Sequence, residues 1–324
     1  MEVEAKDAEL FIMKAKRERK LVKDLKVMRD NGKIIVPLAE RVEFAGALEC
    51  ERDFMQKEEL TIWEVINRNM NRKDLKINWQ RIGNTLIFNK NYENMEKIAD
   101  ELVTKSLASQ VYVKEGKIEG MARTPKLKLV SGIEGDSFYR ENGVIFVTNP
   151  ANLMMSKGNI IERGLPSIKE IKAEAVLDMF SGIGYFSLPV ANLQWVRKVV
   201  CIDLNREALQ YLAKSSAINK VENKVITVNM DCRLFKSDEM YDLVLMGNFK
   251  SKNYLASGLS HVKNNGYILL HHLELTSNIT VSTMNLMKTG RYLGYTLLPA
   301  EIHVVKSYAP HVWHLSSLFK VAHK

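Results

Sequence analysis

The stretch Val176-Leu-Asp-Met-Phe-Ser-Gly-Ile-Gly-Tyr-Phe186 constrains this chain more than any other. A short apolar run ends in the small residues Ser181, Gly182 and Gly184, and a helical pattern opens from the turn. Such a run has the character of a buried parallel strand. Glycine at the turn lets a ligand lie against the backbone where a Cβ would collide. The pattern then recurs. Val199–Leu204 is a second strand-like run, and Arg206–Asn219 follows with helical apolar spacing at Ala208, Leu209, Leu212 and Ala213. Val225–Met230, Tyr241–Gly247 and Gly266–Leu273 supply further strands, with helices over Lys252–Val262 and Val281–Leu293. Alternation of this kind predicts an α/β fold built on a doubly wound sheet. Ile302–Ser307 and Val312–Val321 flank Ala309-Pro310 and predict an antiparallel hairpin at the sheet edge.

The N-terminal half is less regular. Ala8–Ala15 reads as a strand, Lys16–Arg29 as a charged helix, and Lys33–Leu38 as a strand after Asn31-Gly32. Glu59–Met70 and Asn91–Leu107 have helical spacing. Trp79–Asn89, Gln110–Lys114 and Lys126–Val130 read as strands, and Glu141-Asn-Gly143 as the turn of a hairpin. Three parts are expected: a small unit over 1–57, an α+β domain over 58–165, and the α/β domain over 166–324.

No apolar run approaches the roughly 18 residues of a membrane span, and Met1 to Lys26 lacks the apolar core of a secretory signal. Cys50, Cys201 and Cys232 lie far apart without metal-type spacing, which suits a reducing, cytoplasmic setting. Residues 1–250 carry 40 Lys and Arg against 36 Asp and Glu, whereas residues 251–324 carry 7 against 2 and all seven histidines. A local basic excess fits a polyanionic partner; it equally fits a solvated surface.

The candidate binding residues follow from the sheet. About twenty residues beyond the glycine turn, Asp203 ends the second strand, where a carboxylate can accept both hydroxyls of an adenosine ribose. Asp231, ending the third, is placed to accept from an adenine amino group. The carboxyl ends of adjacent strands form one crevice, the usual ligand position in open α/β sheets. Ser187 stands where a dinucleotide fingerprint has its third glycine, so the pattern favours S-adenosyl-L-methionine over a nicotinamide. His311 and His314, three apart on a strand, would point to opposite faces, as would His271 and His272, so no metal site is expected. Cys232 reads as an inert thiol.

The segment Asp178-Met-Phe-Ser-Gly-Ile-Gly-Tyr-Phe186, with Ser156-Lys-Gly-Asn-Ile-Ile-Glu-Arg163 upstream and Lys306-Ser-Tyr-Ala-Pro310 near the end, resembles one tRNA-modifying family. That family groups the tRNA guanine-37 N1-methyltransferases with the wybutosine-synthesis aminocarboxypropyltransferases. The resemblance runs from about Trp79 to Val321. It implies a class I methyltransferase-like domain preceded by an α+β domain that helps grip tRNA. It also implies cofactor contacts at Ser156, Arg163, Asp203, Asp231 and Cys232, with Phe180, Ser181, Gly182 and Gly184 forming the turn. Where the family has Asn, this chain has Cys232, so contact there would come from the backbone.

Four places lean toward the aminocarboxypropyl branch. Gly182-Ile-Gly-Tyr-Phe186 stands in place of Gly-Val-Gly-Pro-Phe, and Ser156-Lys-Gly-Asn159 in place of Ser-Pro-Arg. Met246-Gly-Asn-Phe249 replaces Asn-Leu-Pro or Asn-Pro-Pro, and Val312-Trp-His314 follows the Ser-Tyr-Ala-Pro motif. The resemblance therefore implies transfer of the 3-amino-3-carboxypropyl group to C7 of 4-demethylwyosine at position 37 of tRNA(Phe), with the anticodon loop as partner and no membrane. Guanine-37 N1-methylation is the alternative, and a non-catalytic tRNA-binding protein a further one. The sulfonium activates three carbons, and in-line geometry decides which is attacked. No general base stands out in the sequence.

Overall fold

The computed structural model describes residues 1–5, 7–22, 25, 27–53, 60–70, 77–116, 125–153, 155, 159–164 and 167–324, excepting the side chains of residues 9 and 10. Its contacts gather into two compact units, Met1–Arg68 and Asn69–Lys324.

In the first unit, β1 (Glu2–Glu4), α1 (Ala8–Arg17), β2 (Met28–Asp30) and β3 (Lys33–Ile35) are followed by α2 (Ile62–Asn69) at the unit boundary. The strands form an antiparallel sheet in the order β1-β3-β2. Two expectations are corrected here. Ala8–Ala15 is helical because Ala8, Phe11 and Ala15 fall on one face and bury together with Val3, Val36 and Val42. The helix expected over Lys16–Arg29 is also not found: among the described residues α1 ends at Arg17, and Met28 and Arg29 belong to β2, while residues 23, 24 and 26 lie outside the described residues. Instead α1 stops with Arg19 in the left-handed region at φ 58°. The Lys20 and Arg19 amides donate back to the carbonyls of Ala15 and Lys16, a Schellman closure.

The second unit opens with β4 (Trp79–Ile82), β5 (Thr85–Phe88), α3 (Met95–Thr104), β6 (Gln110–Lys114) and β7 (Leu127–Gly132), a four-stranded sheet in sequence order. The single strand expected over Trp79–Asn89 is two, reversed at Gly83, whose φ is 55°. A Cβ there would lie 2.0 Å from the Phe138 carbonyl oxygen, so only glycine fits. β8 (Ser137–Glu141) and β9 (Val144–Thr148) form the expected hairpin, with Asn142 and Gly143 both at positive φ, the signature of a type I′ turn.

After α4 (Ile160–Arg163), the chain builds β10 (Ala175–Asp178), α5 (Ser187–Ala191), β11 (Lys198–Asp203), α6 (Arg206–Ile218), β12 (Val225–Asn229), β13 (Tyr241–Met246), α7 (Leu255–Leu259), β14 (Val262–Leu275), α8 (Ile279–Tyr292), β15 (Tyr295–Ala309) and β16 (Val312–His323). The sheet order is β12-β11-β10-β13-β14-β16-β15. The first five strands are parallel and the last two antiparallel, so the doubly wound sheet with its edge hairpin is present as expected. Alternate residues of β10 bury on opposite faces. Val176 joins a core with α5 and α6, and Leu177 joins one with α7 and α8. The chain runs outward from β10 to β12 and returns on the other side at β13, which creates the switch point where ligand crevices form. Among the described residues, no helix is long and apolar enough to cross a membrane.

Candidate active site

The turn after β10 is held by its own polar groups. Asp178 is buried; its Oδ1 accepts from the Phe180 amide at 3.1 Å and its Oδ2 from the Ser187 hydroxyl at 2.6 Å. Burial outweighs these bonds and pushes its carboxyl up to about 6. Ser181 donates its amide and hydroxyl to the Ile202 carbonyl, at 3.0 and 3.2 Å, tying the turn to β11. Gly182 and Gly184 sit at φ 52° and 91°. A Cβ on Gly184 would press to 2.8 Å from Leu188 Cγ, whereas one on Gly182 would meet nothing within 4 Å. Gly184 is thus required by packing, and Gly182 leaves its backbone open toward the crevice.

Asp203 accepts from the Gly182 amide at 2.7 Å through Oδ2 and from the Asn205 amide at 2.8 Å through Oδ1. A carboxylate has about four acceptor directions, so two remain for a ribose diol. Asn205 in turn caps α6, accepting from Glu207 and Ala208. The turn and Asp203 therefore form one preassembled unit whose open backbone and spare acceptors fit an adenosine. Asp231 is committed more fully. Its carboxylate takes the Arg233 amide and a forked guanidinium contact, which hold it down at about 2. Cys232 is buried and its thiol is pushed up to about 11. Phe180 packs edge-on against Tyr254, and Arg233 lies over the same ring at 5.4 Å.

Arg163 lies inside the protein. Its Nε pairs with Glu141 Oε1 at 3.0 Å, and its guanidinium stacks on the Tyr185 ring at 4.4 Å. Tyr185 also contacts Phe146, which stacks on Tyr139. The β8–β9 hairpin that carries Glu141 is latched to α6 by Ser215 and Asn219, which bond the backbone of Val147 and Ile145. Ser156 lies outside the described residues. The structure thus joins Phe180, Ser181, Gly182, Gly184 and Asp203 about one turn, sets Asp231 and Cys232 at the end of β12, and places Arg163 against the turn through Tyr185.

Asp178, Glu162 and His303 were not among the residues the sequence pointed to. Asp178 organises the turn. Glu162 pairs with His303 Nε2 and lies 4.0 Å from His271 Nε2. His271 Nδ1 and His314 Nε2 are 2.8 Å apart. His311 is not in a strand but in the hairpin turn at φ 57°, so the strand argument applied to it does not hold.

The profile of the TRM5/TYW2 methyltransferase domain matches residues 137–292. The chain is 32% identical over 243 residues to the tRNA(Phe) (4-demethylwyosine(37)-C(7)) aminocarboxypropyltransferase of Methanocaldococcus jannaschii, covering 74% of this chain and 96% of that protein. The chain belongs to the TRM5/TYW2 family. A second member, the tRNA (guanine(37)-N(1))-methyltransferase Trm5b of Pyrococcus abyssi, is 25% identical over 309 residues, 92% of this chain and 91% of its own. The crystal structure of M. jannaschii TYW2 in complex with AdoMet superposes with a TM-score of 0.62 at 26% identity, covering 76% of this chain and all of that one. TRM5/TYW2 membership thus agrees with the resemblance carried by the turn and its flanking motifs.

Proposed function

We propose that this enzyme transfers the 3-amino-3-carboxypropyl group of S-adenosylmethionine to C7 of 4-demethylwyosine at position 37 of tRNA(Phe). The observation that carries this reading is the match to an aminocarboxypropyltransferase along nearly that protein's whole length. The Gly182-Ile-Gly-Tyr-Phe186 turn supports it physically. A tyrosine at 185 gives Arg163 a ring to stack on, so the turn and Arg163 form one wall. In this reading Asp203 holds the ribose, Gly182 and Ser181 line the sulfonium, and Phe180, Asp231 and the Cys232 backbone border the adenine. Arg163 stands on the side of the methionine arm, where the wall sets which carbon of the sulfonium faces the base, and Ser156, outside the described residues, is a cofactor contact by family resemblance alone.

Residues 1–57 and 58–165 serve in this reading as the tRNA-gripping parts, and the basic stretch after residue 250 contributes phosphate contacts at the anticodon loop. Several such contacts give a steep fall of affinity with salt, and a flat salt dependence would remove that part of the proposal. Guanine-37 N1-methylation is a second reading, favoured by the Trm5b match because it extends over 92% of the chain. The two differ in by-product. Incubation with tRNA bearing 4-demethylwyosine releases 5′-methylthioadenosine if the aminocarboxypropyl group moves, and S-adenosylhomocysteine if methyl moves. Accumulation of S-adenosylhomocysteine with guanine-37 tRNA would replace the first reading by the second.

A further inference from the structure

The transfer leaves a proton to be disposed of. As the π electrons of C7 form the bond to the γ-carbon, the γ-carbon–sulfur bond breaks and its electron pair stays on sulfur, giving neutral methylthioadenosine. The positive charge passes to the tricyclic base, and aromaticity returns only when C7 gives up its hydrogen as a proton. A carbon acid of that kind is strongly acidic, so a weak, neutral acceptor suffices. What it needs is a free lone pair in a dry place.

One chain of groups supplies this. His271 on β14 and His314 on β16 are 1% and 0% exposed, and their ring nitrogens meet at 2.8 Å. They lie at the carboxyl edge of the sheet, beyond the end of β13. The His271 ring is 5.1 Å from that of Phe186, the last residue of the glycine turn, and the His314 ring is 4.8 Å from that of Phe249, just after β13. On the other side, His271 Nε2 faces Glu162 Oε2 at 4.0 Å, and Glu162 Oε1 pairs with Nε2 of His303, whose side chain reaches solvent.

The tautomers follow from Glu162. A carboxylate only accepts, and although Glu162 Oε2 at 4.0 Å leaves His271 Nε2 without a hydrogen-bond partner, its negative charge favours a hydrogen on that nitrogen. His271 Nδ1 then carries the lone pair and must accept from His314 Nε2–H. That leaves the lone pair of His314 on Nδ1, which is buried without a hydrogen-bond partner. This is the logic by which a carboxylate behind an imidazole fixes which nitrogen acts as base. Burial, then Lys306, His272 and His303, pushes His314 down to about 4. Burial, then His314, His272 and His303, puts His271 well below its ordinary value. Both rings are neutral near pH 7.

Resting on the transfer proposed above, we propose that His314 Nδ1 accepts the proton released from C7 as Phe249 turns aside for the base, and that His271 passes it on to Glu162, whose other oxygen is bonded to the part-exposed His303. Each step moves one proton: C7–H to His314 Nδ1, His314 Nε2–H to His271 Nδ1, and His271 Nε2–H to Glu162 Oε2 as their 4.0 Å gap closes, where the proton stays while Glu162 Oε1 keeps accepting from His303 Nε2–H. A buried pair serving packing alone would gain nothing from a carboxylate placed behind it.

The test uses the full chain, S-adenosylmethionine, and tRNA whose 4-demethylwyosine carries hydrogen or deuterium at C7. Wild type must first produce methylthioadenosine; if it does not, the transfer reading fails and the relay falls with it. Given that product, wild type shows no deuterium effect, because proton loss is fast. His314→Asn lowers kcat by about a hundredfold with KM for S-adenosylmethionine unchanged, and a primary deuterium effect appears because proton loss has become slow. Glu162→Gln, which removes the tautomer preference and keeps the shape, lowers kcat by about tenfold with a deuterium effect in the same direction. If His314→Asn does not fold, Glu162→Gln decides alone. An unchanged kcat, or a fall in kcat without a deuterium effect, overturns the relay while leaving the transfer reading in place.

Discussion

On the β10–β11 side of the crevice, polar groups satisfy one another over short stretches of chain. Asp178 takes the amide of Phe180, Asp203 takes that of Asn205, and the longest reach is the 21 residues from Gly182 to Asp203. Toward β14–β16 the partners come from far apart, with 43 residues between His271 and His314 and 141 between Glu162 and His303. Exposure differs too. Asp203 and Gly182 are partly open to solvent, whereas Arg163, Glu141, Glu162, His271 and His314 are buried. The first side is an open surface organised by backbone amides that local sequence presents. The second is a set of buried charges and imidazoles brought together from separate elements, so removing one member leaves the other stranded in a poor solvent for it.

That contrast is broken most forcefully at Arg163. Arg163→Met leaves the Glu141 carboxyl buried and unpaired, a change expected to cost about 3–5 kcal/mol of stability in a urea titration. The double variant Arg163→Met with Glu141→Leu should recover most of it, because two apolar groups of similar size replace a desolvated pair. Burial already raises the Glu141 carboxyl despite the arginine. The single variant should therefore lose less stability at pH 5 than at pH 7, because protonation relieves a buried, unpaired carboxylate. A loss below about 1 kcal/mol would mark an ordinary surface pair and undo the distinction between the two sides.

On the local side, Asp203→Ala should act chiefly on binding. Charge-assisted bonds to two ribose hydroxyls contribute roughly 1.5–3 kcal/mol each, so S-adenosylmethionine affinity by calorimetry should fall at least about a hundredfold. Unchanged affinity would move the pocket elsewhere.

A smaller effect separates Asp178 from its neighbours. Its carboxyl is raised to about 6 from an ordinary 3.8, so the folded state holds its proton more tightly than the unfolded chain does. The stability linked to that proton is fully present below about pH 4 and is lost as the pH rises through about 6, by roughly 2–3 kcal/mol in all. Asp178→Asn should flatten this part of the stability profile. A wild-type profile already flat between pH 4 and 6 would mean that Asp178 ionises without penalty.

The same difference in range governs what could be read from the sequence. Strand, glycine turn and Asp203 lie within one window and obey one periodicity, so the crevice and the order of its elements were legible, down to the Asn142-Gly143 hairpin. Ala8–Ala15 was misread because a run of apolar residues satisfies period two and period 3.6 at once, and only burial of Ala8, Phe11 and Ala15 together decides. Trp79–Asn89 was misread because Gly83 sits inside an otherwise strand-like run, and its need to be glycine comes from Phe138, which sequence does not place nearby. The pairing of Glu162 with His303 had no local signal at all. The strand rule correctly turned His271 away from His272, and it could not foresee that His271 would turn toward His314 on the neighbouring antiparallel strand.

The central claim is that the wall made by Tyr185 and Arg163 belongs to a pocket that presents the γ-carbon, and not the methyl group, to the base. The most direct measurement uses S-adenosylmethionine deuterated only on its methyl group, with tRNA bearing 4-demethylwyosine and the product nucleoside analysed by mass. The account predicts a nucleoside heavier by the aminocarboxypropyl group and free of deuterium. A nucleoside carrying a trideuteromethyl group would contradict it.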